Sequence, residues 1–310
     1  MLPGNVGLAP MAGITDKAFR DICREFGAAF SFSEMISADG YVRGSSKTNE
    51  LLPYDEELTA VQIFGSDLFT LSEAAAKLSE RYRWIDLNAG CPVKKVVRKG
   101  AGGALIRDLE RFREIVRELR KSVKGIFSVK TRLGWERNEF EKLYSILSEE
   151  GIDLVIVHAR TVLQGFEGKA DWKALGTLNL DGPPVLISGN IFSPEKAKEA
   201  LIESNCQGVV VARGAIGRPW IFKQIKDFFI YGRYDTPSSA EILRTLLKHL
   251  DLLKRYKGES RAVKEFRKFI AGYTRDIPGS KRFRNDVMRI ESFEALKESL
   301  KAFFEEQCII

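Results

Sequence analysis

The segment Leu154-Val155-Ile156-Val157-His158-Ala159-Arg160 decides the fold. Its four leading apolar residues offer no polar face to water, which suits a parallel strand buried on both sides. The run then ends abruptly in a histidine and an arginine. Working outward, seven more short apolar runs occur at 6–10, 28–32, 60–64, 84–88, 126–131, 185–188 and 208–212. Between them lie amphipathic helix candidates at 16–26, 68–81, 108–122, 139–150, 194–204 and 217–229. Ser193 before Pro194 makes a good N-cap, with proline at the first helical position. Two connections, 37–59 and 163–181, are longer and less regular. Eight strand–helix units in about 230 residues match a (β/α)8 barrel better than an open doubly wound sheet.

Beyond 231–239, a stretch with Gly, Pro and Ser, only helical periodicity remains. It runs through Ile242, Leu246, Leu250 and Leu253, then Val263, Phe266, Phe269 and Ile270, then Phe293, Leu296, Leu300 and Phe303. The expected organisation is a barrel over 1–234 and a small all-helical domain over 235–310. A chain of 310 residues has room for both.

Composition narrows the function class. No apolar run reaches the roughly 18 residues of a membrane span. The N-terminus shows no basic leader followed by an apolar core. A cytoplasmic monomer is expected. Cys23, Cys91, Cys206 and Cys308 are too scattered for a disulfide framework and show no CxxC spacing, and two histidines are too few for a histidine-rich site, so no metal is expected. Net charge is +7. Residues 254–284 alone hold eleven Lys/Arg against three Asp/Glu, which accounts for the whole excess. Such a stretch is either a solvated helical face or a phosphate-binding surface. Arg261, Lys264 and Lys268 recur at helical spacing and can share one face; Arg282 and Arg284 follow.

Barrels keep their chemistry at the C-terminal ends of the strands. Here those ends are polar: Pro10-Met11-Ala12, Gln62, Asn88 with Cys91, Lys130 with Arg132, His158 with Arg160, Gly189-Asn190, and Ala212-Arg213-Gly214. Each has a plainer reading. Gln62 can be a satisfied buried amide, Lys130 can snorkel to a surface, His158 can be structural, and Cys91 can be a small buried hydrophobe. Together these readings weaken, because polar clusters at one rim carry a heavy desolvation cost unless they serve a ligand. The last two ends suit a phosphate, which barrels often hold between the loops after strands seven and eight. Lys130 would stabilise a negatively charged reduced ring, Gln62 offers both donor and acceptor to its edge, and Met11 offers an apolar platform. Cys91 opens a loop with glycine hinges and the cations Lys94 and Lys95, and a thiol is protonated at neutral pH and able to act as an acid.

The motifs Ala9-Pro10-Met11-Ala12-Gly13, Asn88-Ala89-Gly90-Cys91-Pro92, Lys99-Gly100-Ala101-Gly102-Gly103-Ala104-Leu105, His158-Ala159-Arg160-Thr161, Gly168-Lys169-Ala170-Asp171-Trp172 and Ala212-Arg213-Gly214-Ala215-Ile216-Gly217-Arg218-Pro219-Trp220 resemble those of the tRNA-dihydrouridine synthases. Gly189-Asn190-Ile191 is a mild departure where many relatives have Gly-Asn-Gly or Gly-Asn-Asp. The resemblance implies FMN across the barrel mouth, at Pro10, Met11, Ala12, Gln62, Lys130, His158, Asn190, Arg213 and Gly214, with Gly189 and Ala212 beside them. It implies reduction of the flavin by NADPH or NADH, hydride transfer to C6 of a tRNA uracil, and protonation of C5 by Cys91. Asn88 and Arg132 match positions facing the base. Arg160, Lys94 and Lys95 are further substrate candidates, and the helical domain is expected to grip the tRNA through Arg261, Lys264, Lys268, Arg282 and Arg284. The competing expectations are an FMN-dependent barrel dehydrogenase acting on a free pyrimidine or dihydroorotate, and a colourless RNA-binding protein.

Overall fold

The structure, a computed structural model, describes residues 5–54 and 58–307; Cys308 lies outside them. Eight parallel strands close into a barrel: β1 (Val6–Leu8), β2 (Phe30–Phe32), β3 (Thr59–Phe64), β4 (Trp84–Ala89), β5 (Ile126–Arg132), β6 (Leu154–His158), β7 (Val185–Ser188) and β8 (Gly208–Val211). Each strand pairs with its successor, and β8 pairs back onto β1. A two-residue strand, Ile36–Ser37, adds itself to the far end of β3.

Period-two alternation divides the core in two. Ala60, Trp84, Leu154, Ile156, Leu186 and Val210 join Phe30 and Phe32 in an apolar cluster of their own inside the barrel. The intervening Val61, Ile85, Leu87, Val129, Val155, Val157, Ile187 and Val209 belong to the larger core shared with the helices. The strands therefore read as continuous apolar runs because both faces are covered. Polar residues interrupt the inner face from mid-strand onward, at Gln62, Asp86, Asn88, Ser128 and Lys130 among others.

Local chemistry starts each helix where the chain leaves the rim. The Asp16, Asp67 and Asp108 side chains accept from the N–H of Phe19, Thr70 and Arg111 and cap α1 (Lys17–Glu25), α2 (Leu68–Ser79) and α3 (Leu109–Ser122). Then come α4 (Phe140–Glu149), α5 (Pro194–Ser204), capped by Ser193, and α6 (Ile221–Tyr231), ended by Gly232 in the left-handed conformation. The long connections contain short helices at Ala38–Val42, Ser46–Asn49 and Lys173–Gly176.

Four helices follow: α7 (Ser239–Lys257), opened by a Ser238–Glu241 capping box, α8 (Glu259–Tyr273), α9 (Ser280–Val287) and α10 (Phe293–Gln307). The periodic residues of this segment are buried, apart from a half-buried Ile242. The unit shares one continuous core with the barrel. Phe19 of α1 lies 4.9 Å from Phe269 and 5.6 Å from His249, ring centre to ring centre. At Gly272 of α8 the backbone presses on the loop after β8, and a Cβ there would stand 1.9 Å from the Ile216 carbonyl oxygen. Among the described residues no helix is long and apolar enough to cross a membrane.

Candidate active site

The C-terminal ends of the strands enclose a cavity of about 340 Å³, within the size range of small-ligand sites. Pro10, Met11 and Ala12 line it from the loop after β1, Asn88 from β4 and Cys91 from the loop after it, and Lys130 and Arg132 from β5. His158 enters from β6, Gly189 and Asn190 from the loop after β7, and Ala212, Arg213 and Gly214 from the loop after β8. Strand register brings them level, since Asn88 is the partner of Lys130, and Arg132 of His158.

The loops after β7 and β8 touch where Gly214 has no side chain; a Cβ there would meet the Ile191 carbonyl oxygen at 2.2 Å. Asn190 adopts a left-handed conformation, φ 57°. Its Oδ1 accepts from Arg160 Nη2 at 2.6 Å. Arg213 is exposed and lies over the Phe166 and Phe192 rings, 5.4 and 5.6 Å from their centres.

Electrostatically the cavity is a cluster of cations. Arg132 donates to the carbonyls of Gly90, Thr161 and Gly165 at 2.7–2.8 Å. Among the described residues no carboxylate forms an ion pair with Lys130, Arg132, Arg160 or Arg213. Burial and the neighbouring Arg132 pull Lys130 down to about 8, with Asp86 and Cys91 opposing. Burial, then Arg160, pulls Arg132 down to about 10. Burial and four surrounding cations hold His158 far below its ordinary value, so the ring is neutral. Arginine only donates, so His158 Nε2, 3.0 Å from Arg160 Nη1, is the acceptor and Nδ1 carries the proton. Burial raises the Cys91 thiol, while the Val93 N–H, Arg132 and Lys130 work the other way. Cys91 is thus a protonated thiol at neutral pH, half-buried at the cavity wall.

Several candidates stand away from the cavity. Gln62 is in the middle of β3, because the strand runs on to Phe64, and its amide lies inside the barrel bonded to Asp86 and Asn88. Arg160 is 1% exposed and donates to the Glu167 and Gly168 carbonyls and to Asn190. It shapes the β6 and β7 loops and does not line the cavity. Lys94 and Lys95 are exposed on a short helix, Lys94–Val97, beyond Cys91. On α8, Arg261 pairs with Glu50 at 3.1 Å and Lys268 donates to the Gly13 carbonyl at 2.6 Å, so both face the barrel. Lys264 is exposed, and Arg282 and Arg284 lie on α9.

Met35 and Phe166 line the cavity but were not among the sequence candidates. Met35 follows Ser33-Glu34 after β2, a polar strand end like the others and the signal that marks it. Phe166 sits in the irregular 163–181 connection, flanked by Gly165 and Gly168, where no periodicity points to it.

The dihydrouridine synthase family model matches residues 7–308. The chain is 35% identical to tRNA-dihydrouridine synthase B of Pseudomonas syringae pv. tomato, covering 97% of this chain and 91% of that protein. It is 36% identical to the enzyme of the same name from Pseudomonas putida, over 99% and 93%. To a probable tRNA-dihydrouridine synthase of Rickettsia prowazekii it is 37% identical, over 98% and 95%. Among solved structures, histamine dehydrogenase from Rhizobium sp. 4-9 shares the fold with a TM-score of 0.51 at 12% identity, over 81% of this chain and 50% of that one. A 2-naphthoyl-CoA reductase does so with a TM-score of 0.52 at 11% identity, over 74% and 50%. With a matching model across nearly its whole length and relatives above 30% identity end to end, the chain belongs to the dihydrouridine synthase family of oxidoreductases.

Proposed function

We propose that this enzyme reduces the C5=C6 bond of uridines in tRNA, with FMN held at the barrel mouth and NADPH or NADH as the reductant. One observation carries the reading: a protonated thiol, Cys91, lines the same cavity as Lys130 and as Asn190, Arg213 and Gly214 of the last two strand ends. The residues suit FMN, because the cations lack carboxylate partners and the glycine-bearing loops after β7 and β8 bring backbone close to an anion. When bound, the flavin supplies the hydride for C6. Asn190, Arg213, Gly214 and the neutral His158 hold its phosphate and ring, with Met11 and Ala12 as apolar support. Lys130 balances negative charge developing beside it. Asn88 and Arg132 face the base.

Cys91 gives its proton to C5. Because the acid must be protonated, turnover holds through neutral pH and falls as the raised thiol ionises at alkaline pH. A uridine inside folded tRNA must be drawn out to reach the cavity, at about a few kcal/mol. Contacts from 235–310, which we take as the tRNA-binding domain, offset that cost through Lys264, Arg282 and Arg284. A tRNA substrate places the work in the cytoplasm.

The test is to incubate the purified protein with NADPH and either tRNA lacking dihydrouridine or free uridine, and to follow the two-hydrogen mass gain. Reduction of tRNA uridine by a yellow protein is the expected result. Equal activity on free uridine would favour a small-molecule dehydrogenase, and a colourless, inactive protein would remove the reading.

A further inference from the structure

A carboxylate that the proposed chemistry does not use lies beneath the cavity. Asp86 is fully buried inside the barrel, one inward-facing position below Asn88. Its Oδ2 accepts from Gln62 Nε2 at 2.6 Å and its Oδ1 from the Ser128 hydroxyl. Ser128 Oγ accepts from Trp84 Nε1 at 2.8 Å, which leaves its own proton for Asp86. Gln62 Oε1 accepts from Asn88 Nδ2 at 2.8 Å. Asn88 Oδ1 accepts from the backbone N–H of Gly90 at 3.2 Å and of Cys91 at 2.9 Å.

An Asn or Gln amide can turn over and exchange donor for acceptor with little change of shape. Above the pKa of about 7 to which burial raises it, Asp86 is a carboxylate and can only accept. Facing Asp86, Gln62 must present its NH2, which turns its oxygen towards Asn88. Asn88 must then present its own NH2 to Gln62, which turns its oxygen to the Cys91 turn. We infer that Asp86 is a positioning residue for the thiol, its carboxylate setting the direction of a Gln62–Asn88 relay that ends on the Cys91 backbone. The inference rests on the acid role proposed for Cys91. With the relay reversed, the Asn88 NH2 would confront two backbone N–H groups, and the turn would lose its anchor. Packing alone does not account for Asp86. Burial pushes its pKa up to about 7 even with Gln62, Ser128 and Lys130 opposing, whereas an apolar side chain would fill the space without that cost.

The test compares Asp86→Asn with the pair Q62E/D86N. Asp86→Asn sets the two ends of the relay against each other, because the Ser128 hydroxyl holds the new amide's oxygen and turns its NH2 to Gln62, while the Gly90 and Cys91 N–H groups still call for the Asn88 oxygen. In the pair, the carboxylate moves to position 62, accepts from both neighbours and restores the direction at Asn88. Two readouts are used: kcat and KM on tRNA, and the rate of Cys91 alkylation by iodoacetamide, mapped by mass spectrometry, which needs no flavin. Asp86→Asn is expected to lower kcat about tenfold with KM for tRNA within about twofold, and to change the alkylation rate. The pair is expected to recover most of both. Wild-type kcat and alkylation in Asp86→Asn, or a pair no better than the single variant, would overturn the inference. Should Asp86→Asn fail to fold, Gln62→Leu breaks the relay without touching the carboxylate and must lower kcat in the same way; wild-type turnover there also overturns it. Cys91→Ala separates the two levels. If it is active, the acid role itself is wrong; if it is inactive while Asp86→Asn behaves as wild type, only the relay fails.

Discussion

In the seam between barrel and helical unit, Lys257 meets Asp16 at 2.6 Å and Glu265 at 2.5 Å, Arg261 meets Glu50 at 3.1 Å, and Lys248 meets Glu25 at 2.6 Å. At the barrel mouth Arg132 and Arg160 donate to carbonyls and to Asn190, and Arg213 lies over aromatic rings. Both regions are rich in cations, yet charge is matched in one and left in excess in the other. Matched charge holds two units together and presents little field to a ligand. Unmatched, partly desolvated charge is tolerated where an anion completes it. Substitutions at the mouth should therefore impair chemistry while sparing the fold, and substitutions in the seam should do the reverse.

The largest effect is expected at the mouth. Cys91→Ala should lower kcat on tRNA by about 10³-fold, the scale of a lost general acid, with bound flavin and thermal stability retained. Wild-type turnover in steady-state assays would remove the thiol from the chemistry and break the contrast at its centre.

The seam should answer to pH. His249 is fully buried among Phe19, Phe266, Phe269 and Tyr273. Burial, with Lys257 adding and Asp16 opposing, pulls it down to about 4 from an ordinary value of 6.5. A folded-state pKa below the unfolded one means that the neutral ring's contribution is complete above pH 6.5 and is lost as pH falls through 4. The loss attributable to this residue is roughly 3 kcal/mol. His249→Phe, which does not titrate, should gain on the wild type as denaturant melts are taken from pH 7 to pH 4. A constant difference would show that the ring does not titrate in that window.

Lys257→Met should lower unfolding free energy by roughly 1–3 kcal/mol, because Asp16 is left buried without its partner, while kcat changes by less than about threefold. A large kcat loss at unchanged stability would show that the seam belongs to the active site after all. The smallest effect is expected at α9, where Arg282 is 94% exposed and pairs only loosely with Asp286 at 3.9 Å. Neutralising Arg282 and Arg284 together should weaken tRNA binding and reduce its salt slope by about two, leaving stability within about 0.5 kcal/mol. An unchanged slope would move the RNA surface to another face.

Much of the fold was legible because its elements obey short-range periodicities. Strands covered on both faces must be apolar throughout, and α7, α8 and α10 repeat buried residues at helical spacing. The helix α9 escaped that reading because its eight residues, Ser280–Val287, bury only Ser280 and Val287. At the mouth, the glycine-bearing ends of β7 and β8 and the polar ends of β4, β5 and β6 announced a ligand. Gln62 and Arg160 show where this reasoning stops. Each sits in a polar strand-end cluster, but β3 continues past Gln62, and Arg160 turns back to carbonyls brought alongside by the loop after β6.

By itself the sequence determined a barrel of eight buried strands, a helical extension and a rim of polar residues, because each follows from neighbours within a few positions along the chain. Tertiary structure alone decided which cations are matched and which are left for a ligand, and which way the amides beneath Cys91 point. Those outcomes depend on groups far apart in sequence, such as Lys268 and the Gly13 carbonyl, 255 residues away. A hydrogen bond or ion pair forms only between atoms within a few ångströms, and closing the barrel and packing the helical unit against it set that distance.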